Sequence, residues 1–147
     1  MGFTALVLVA AGFLAPADAP TRGGPETDRE RLQGTWQVVS LESEGEKGPE
    51  EVARALKYRF RGERLTIDPA EPGANQEFRY RLDPGKDPKA IDLTVTKGRD
   101  AGKTLRGIYL LGRDSLKICL GDWGRPRAFA TETRGGQALI ILKRATP

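Results

Sequence analysis

The chain contains no histidine. That removes the commonest general base and the commonest metal ligand together. A Ser-His-Asp or Cys-His nucleophile cannot be assembled within it. Cys119 is its one cysteine, so no internal disulfide forms, and a zinc site would rest on one thiolate and carboxylates alone. The period-two neighbours of Cys119 are Lys117 and Gly121. A reactive thiol needs exposure and a lowered pKa, so this setting fits a half-buried inert thiol, with interchain pairing left open. Long apolar runs are also scarce. The longest, Phe3 to Leu14, is followed by Ala15, Pro16 and Ala17. It is shorter than the roughly 20 residues that span a bilayer, and it reads as a secretory signal over residues 1–17, cleaved after Ala17. Export to the periplasm or medium is therefore expected, with no transmembrane segment after cleavage.

Residues 18–26 are rich in Pro, Gly and Ala and read as a flexible leader. Residues 27–147 make one domain, large enough to bury a core without disulfides. The net charge of +4 is unevenly spread: residues 18–98 sum to −2 and residues 99–147 to +6. The basic half favours an anionic partner, although charge alone reports first on solubility.

What the chain does contain is a period of two. Thr27 or Asp28 caps a helical turn over 29–33, and a first strand follows over 35–42. Pro49 opens a short helix over 50–56, with acids in its first turn. Tyr58 and Phe60 then alternate with Lys57, Arg59 and Arg61. Leu65 and Ile67 alternate with Arg64, Thr66 and Asp68; Phe78 and Tyr80 with Glu77, Arg79 and Arg81; Ile91, Leu93 and Val95 with Asp92, Thr94 and Thr96. This is the apolar-in, polar-out pattern of a half-buried antiparallel sheet. Further strands are expected over 104–111, 115–120, 127–132 and 137–143, the last apolar on both faces and so covered on both sides. About nine short strands at this spacing suggest a sandwich or barrel, and closure removes exposed edges.

Gly34-Thr35-Trp36 leads into the first strand, and Lys143 and Arg144 end the last. This resembles the G-x-W start of lipocalin and wider calycin barrels. That resemblance implies a Trp at the barrel base with a cation from the final strand over its ring, a role in which Arg stacks better than Lys. A wider set occurs in order: residues 32–36, Pro88 to Leu93, Gly107 to Tyr109, Leu116 to Leu120, Arg125-Pro126 and Leu139 to Arg144. Together these resemble the planctomycete-type uncharacterised domain, a small lipocalin-like family whose members are often exported or appended to larger proteins. The resemblance implies an all-β, up-and-down antiparallel calycin-like barrel of about 8–9 strands with one short helix after the first strand. It implies no activity and no catalytic residues.

Gly98 to Thr104 resembles a phosphate-binding loop, but with three residues between its glycines and a strand after it. The phosphate loop needs a helix N-terminus there, so a hairpin turn is expected and no cofactor is assigned. Asp68, Asp83, Asp87 and Asp92 form no pair at a catalytic spacing, and three of them read as turn residues beside proline. No enzyme is expected.

Two faces remain. The inner one offers Trp36, Tyr58, Phe60, Phe78, Tyr80 and Tyr109, with Phe129 a seventh candidate. An eight-stranded barrel either fills its interior or holds one small ligand, so these residues line or plug a lumen. The outer one offers Arg59, Arg61, Arg79 and Arg81, with Lys57 and Arg64. Such a face suits an acidic protein or an anionic surface. Nucleic acid is not expected, because the aromatics of these strands lie on the opposite parity. The leading expectation is a small apolar or amphipathic ligand in the lumen. The alternative is a protein-interaction or accessory module that uses the outer cationic face and the loops.

Overall fold

The computed structural model describes residues 25–68 and 77–145. The signal-peptide expectation lies outside them, as does the leader except residues 25 and 26, which open the first helix. The elements are α1 (Pro25–Leu32), β1 (Gly34–Ser43), β2 (Glu46–Lys47), α2 (Glu50–Arg54), β3 (Lys57–Arg61), β4 (Arg64–Asp68), β5 (Glu77–Asp83), β6 (Ala90–Val95), β7 (Thr104–Leu111), β8 (Ser115–Gly121) and β9 (Gln137–Arg144). Every pairing is antiparallel, in the order β1-β3-β4-β5-β6-β7-β8-β9, and β9 returns to pair with β1. The result is a closed eight-stranded up-and-down barrel, with β2 added outside β1. Closure leaves no long unpaired edge in the barrel wall.

The alternation read from sequence sets the faces. On β3, Tyr58 and Phe60 are buried while Lys57, Arg59 and Arg61 are exposed. On β6, Ile91, Leu93 and Val95 face the core, where they meet Phe78, Tyr80, Leu116, Ile118 and Leu142. Turns follow local chemistry. Gly62 joins β3 to β4 at φ +60°, a conformation that costs a side-chain-bearing residue more than glycine. Gly107 on β7 is required for another reason: a Cβ there would lie 2.7 Å from both the Cys119 carbonyl oxygen and Leu120 Cδ2.

Strand β1 carries a bulge. Val38 pairs with Leu142 and Ser40 with Ile141, so Val39 is extra. The inward parity changes there, from Trp36 and Val38 to Leu41, and Val39 is left exposed.

The floor of the barrel is built around Trp36, which is fully buried. Its indole N–H donates to the Leu32 carbonyl at 2.9 Å, tying β1 to the end of α1. Arg144 is the residue paired with Trp36 across β1 and β9, and its guanidinium carbon lies 4.3 Å from the ring centroid. Lys143 has the outward parity and is exposed, so strand register selects between the two cations named from sequence. The Arg144 guanidinium also donates to the carbonyls of Arg31 at 2.7 Å and Gln33 at 3.2 Å. These carbonyls at and just past the end of α1 lack full helical partners, and Arg144 supplies donors to them.

Three local expectations change. Helix α1 begins at Pro25, so Asp28 is inside it rather than capping it. The helix after β1 ends at Arg54, not Leu56, and the two-residue strand β2, not foreseen, precedes it. Residues 127–132 form no strand; the segment 122–136 runs as an irregular connection between β8 and β9. That connection covers the outer side of the wall, with Phe129 against Ile108, Cys119 and Leu139. Phe129 is therefore outside the barrel, and the two-sided burial expected of the last strand is met by this cover.

Candidate functional site

The inner candidates converge as expected but leave little open space around them. Trp36, Tyr58, Phe60, Phe78, Tyr80 and Tyr109 belong to one packed cluster and are 0–6 % exposed. A lumen with room for a ligand leaves its lining in contact with a water-sized volume, and these six have almost none. Phe60 and Tyr80 meet edge to face with centroids 5.2 Å apart. The polar tips of Trp36, Tyr80 and Tyr109 are occupied too. Tyr80 Oη donates to the Gly62 carbonyl and accepts from Gln33 Nε2 at 3.0 Å. Burial pushes the Tyr58 hydroxyl up to about 12, and it raises Tyr80 and Tyr109 as well.

Tyr109 leads to a buried polar group that sequence reasoning missed. Its hydroxyl donates to Asp28 Oδ2 at 2.6 Å, and Lys89 Nζ donates to the same oxygen at 2.9 Å. Asp28 is fully buried, and its Oδ1 has no hydrogen-bond partner. This cluster fastens α1 across the barrel floor, against the connection between β5 and β6. Nothing in the spacing of residues 28, 89 and 109 announces it, because three distant segments supply it.

The outer face is a different environment. Its order follows from strand register. Arg61 pairs with Arg64, Arg64 with Arg79, and Arg79 with Thr94. Arg81, two residues further along β5, pairs with Asp92, which pairs in turn with Arg106. Three arginines thus stand side by side on three consecutive strands, and Arg81 and Arg106 carry the positive charge on around the wall. All five are exposed.

Counter-charge is placed at the margins. Arg59 meets Asp68 at 3.1 Å, and Arg64 reaches Glu77 only at 3.8 Å. Glu77 is held mainly by Lys97, whose hydrogen bond at 3.0 Å draws its carboxyl below the ordinary range. Asp92 is taken by Arg125 at 2.7 Å. Among the described residues, Arg61, Arg79, Arg81 and Arg106 therefore have no ion pair. Like charges directly opposite one another in a sheet oppose folding. In water, two unit charges roughly 6 Å apart repel by about 0.7 kcal/mol before salt screening. A cleft of about 400 Å³ lies on this face, lined by Thr35, Arg59, Arg61, Arg64, Thr66 and Glu77 among others.

Other features resolve into structure. Gly98 to Lys103 lie in the turn between β6 and β7 and Thr104 opens β7, with Val95 N–H donating to the Lys103 carbonyl at 2.9 Å. Arg125 is a clasp: it donates to the Gly107 carbonyl at 2.7 Å and the Ile91 carbonyl at 3.3 Å besides pairing Asp92. Cys119 is fully buried with its thiol 3.6 Å from the Ala130 carbonyl, and burial raises its pKa. Trp123, not singled out from sequence, is 77 % exposed between Asp122 and Gly124. An aromatic set in a turn-rich stretch was the available signal. No helix among the described residues is long and apolar enough to cross a membrane.

No protein-family model, curated protein or solved structure matches the chain.

Proposed function

We propose that this chain is an exported, non-catalytic binding module that engages an anionic partner through the outer arginine face of β3, β4 and β5. One observation carries this reading: Arg61, Arg64 and Arg79 stand in register on three adjacent strands, with the nearest carboxylates committed elsewhere or only loosely within reach. An arrangement that is self-repulsive in the free protein is relieved when an anion binds, so the repulsion is returned as affinity. The packed interior favours this face over a ligand in the lumen, since the six aromatic candidates already occupy one another's surfaces. The closed meander and the Arg144–Trp36 contact support reading the chain as a calycin-like barrel.

The test compares two triple variants of equal net charge. The first is Arg61→Gln with Arg79→Gln and Arg81→Gln. The second neutralises exposed cations elsewhere: Arg99→Gln, Arg113→Gln and Lys117→Gln. Binding to a panel of polyanions (dextran sulfate, poly-glutamate and anionic lipid vesicles) is measured at several salt concentrations. Loss confined to the first variant supports the reading. Equal loss in both means that net charge alone drives binding, and the reading fails.

A further inference from the structure

We infer that the partner of the arginine face is a linear polysaccharide bearing sulfate or carboxylate groups, an inference that rests on the binding-module reading above. The chemistry of the face decides among anionic partners. Stable protein–protein interfaces are organised around a desolvated apolar centre with aromatic anchors. The outward positions of β3, β4 and β5 contain none: they are Lys57, Arg59, Arg61, Arg64, Thr66, Asp68, Glu77, Arg79, Arg81 and, at the end of β5, Asp83. Among the described residues the large exposed apolar side chains, Val39, Val52, Leu110 and Trp123, all lie outside these three strands. A folded acidic protein would find charge here but nothing to bury.

Single-stranded nucleic acid is held by bases stacked on aromatic side chains inside a cationic groove. The aromatics of these strands, Tyr58, Phe60, Phe78 and Tyr80, all point into the core. What the face does offer is a file of arginines anchored at strand spacing: the backbones that carry Arg61, Arg64 and Arg79 lie about 4.8 Å apart, and Arg81 follows two residues, about 6.8 Å, along β5. Each guanidinium fork presents two parallel N–H donors, which match a carboxylate or sulfate group. Thr35 and Thr66 add hydroxyls in the same cleft, which suit the hydroxyl groups between the charges of a sugar polymer, and the two carboxylates that also line it, Asp68 and Glu77, are held by Arg59 and Lys97. A file of forks running round a convex wall fits a flexible chain with regularly repeated anions.

Isothermal titration calorimetry with the full chain tests this. The probes are size-fractionated heparin oligosaccharides, polygalacturonate oligomers, poly-glutamate of matched charge and a single-stranded DNA oligonucleotide. The expected result is binding to the two sugar polymers at least tenfold tighter than to poly-glutamate or DNA. Affinity is expected to rise with oligosaccharide length until the chain spans the file, then level off. The Arg61→Gln, Arg79→Gln, Arg81→Gln variant should lower the slope of log K against log salt by about three, roughly one per arginine. Far-UV circular dichroism of that variant confirms that it remains folded. Equal or tighter binding of poly-glutamate or DNA at the same arginines overturns the polysaccharide assignment and leaves the binding-module reading standing. No binding to any of the four overturns both.

Discussion

Replacing Arg144 by Ala removes four interactions of one guanidinium at the barrel floor. It contacts the face of Trp36, donates to the carbonyls of Arg31 and Gln33, and lies 3.6 Å from Asp114. A hydrogen bond to a charged group contributes about 1.5–3 kcal/mol when buried. The Arg144 side chain is 32 % exposed, so the lower end applies to each. The contact with the ring adds about 1 kcal/mol, and the exposed Asp114 adds little. These sum to about 4 kcal/mol, and because contacts sharing one side chain are not additive, truncation should cost about 2–4 kcal/mol, or a melting temperature lower by about 10 °C for a domain of this size. Arg144→Lys keeps a cation over the ring but loses the fork, and should recover less than half of that loss. The assay is urea denaturation in a Trp123→Phe background, which leaves Trp36 as the only indole and makes emission report the floor directly. A loss below about 0.5 kcal/mol, the range of an ordinary surface substitution, would refute the role given to this clasp.

The three tyrosines of the chain are all buried, and all three hydroxyls are raised above their ordinary value of 10.0. Their native protons are retained above the pH at which the unfolded chain releases them, so stability is full below pH 10 and falls as pH rises beyond it. Absorbance at 295 nm should show no tyrosinate near pH 10 and then a cooperative rise that coincides with loss of far-UV ellipticity; a gradual titration in the folded state would contradict the burial. Gly107→Ala brings a Cβ within 2.7 Å of a backbone oxygen and should cost about 1–3 kcal/mol by chemical denaturation, whereas a neutral effect would mean that β7 and β8 separate easily. Cys119 should resist a disulfide reagent in native buffer and react at once in denaturant, and rapid native labelling would show that the 122–136 cover opens.

Most of the wall was legible because hairpin strands with one wet face write their own pairing. Lys57 to Asp68 gives two strands and a glycine turn, and the structure pairs them in that register. The segment 127–132 misled for a physical reason. Arg127, Phe129 and Thr131 alternate like a strand, but Phe129 serves the outside of the barrel. The backbone there is held by side-chain contacts, among them Thr131 Oγ1 donating to Glu42 Oε1 at 2.8 Å. The bulge at Val39 was not legible, because it shifts parity without leaving a mark in composition. The arginine face was visible residue by residue, but its order was not. That Arg61, Arg64 and Arg79 are neighbours depends on three strands and two registers. The commitment of Asp92 to Arg125 depends on a loop whose path carried no period.

The measurement that bears most directly on the central claim is the salt dependence of polyanion binding for the two charge-matched triple variants. Dextran sulfate should bind the native chain with a steep salt slope. Arg61→Gln, Arg79→Gln, Arg81→Gln should flatten that slope by about three, while Arg99→Gln, Arg113→Gln, Lys117→Gln leaves it nearly unchanged. Indistinguishable slopes for the two variants would contradict it, because the file of arginines would then be no more than part of the total charge.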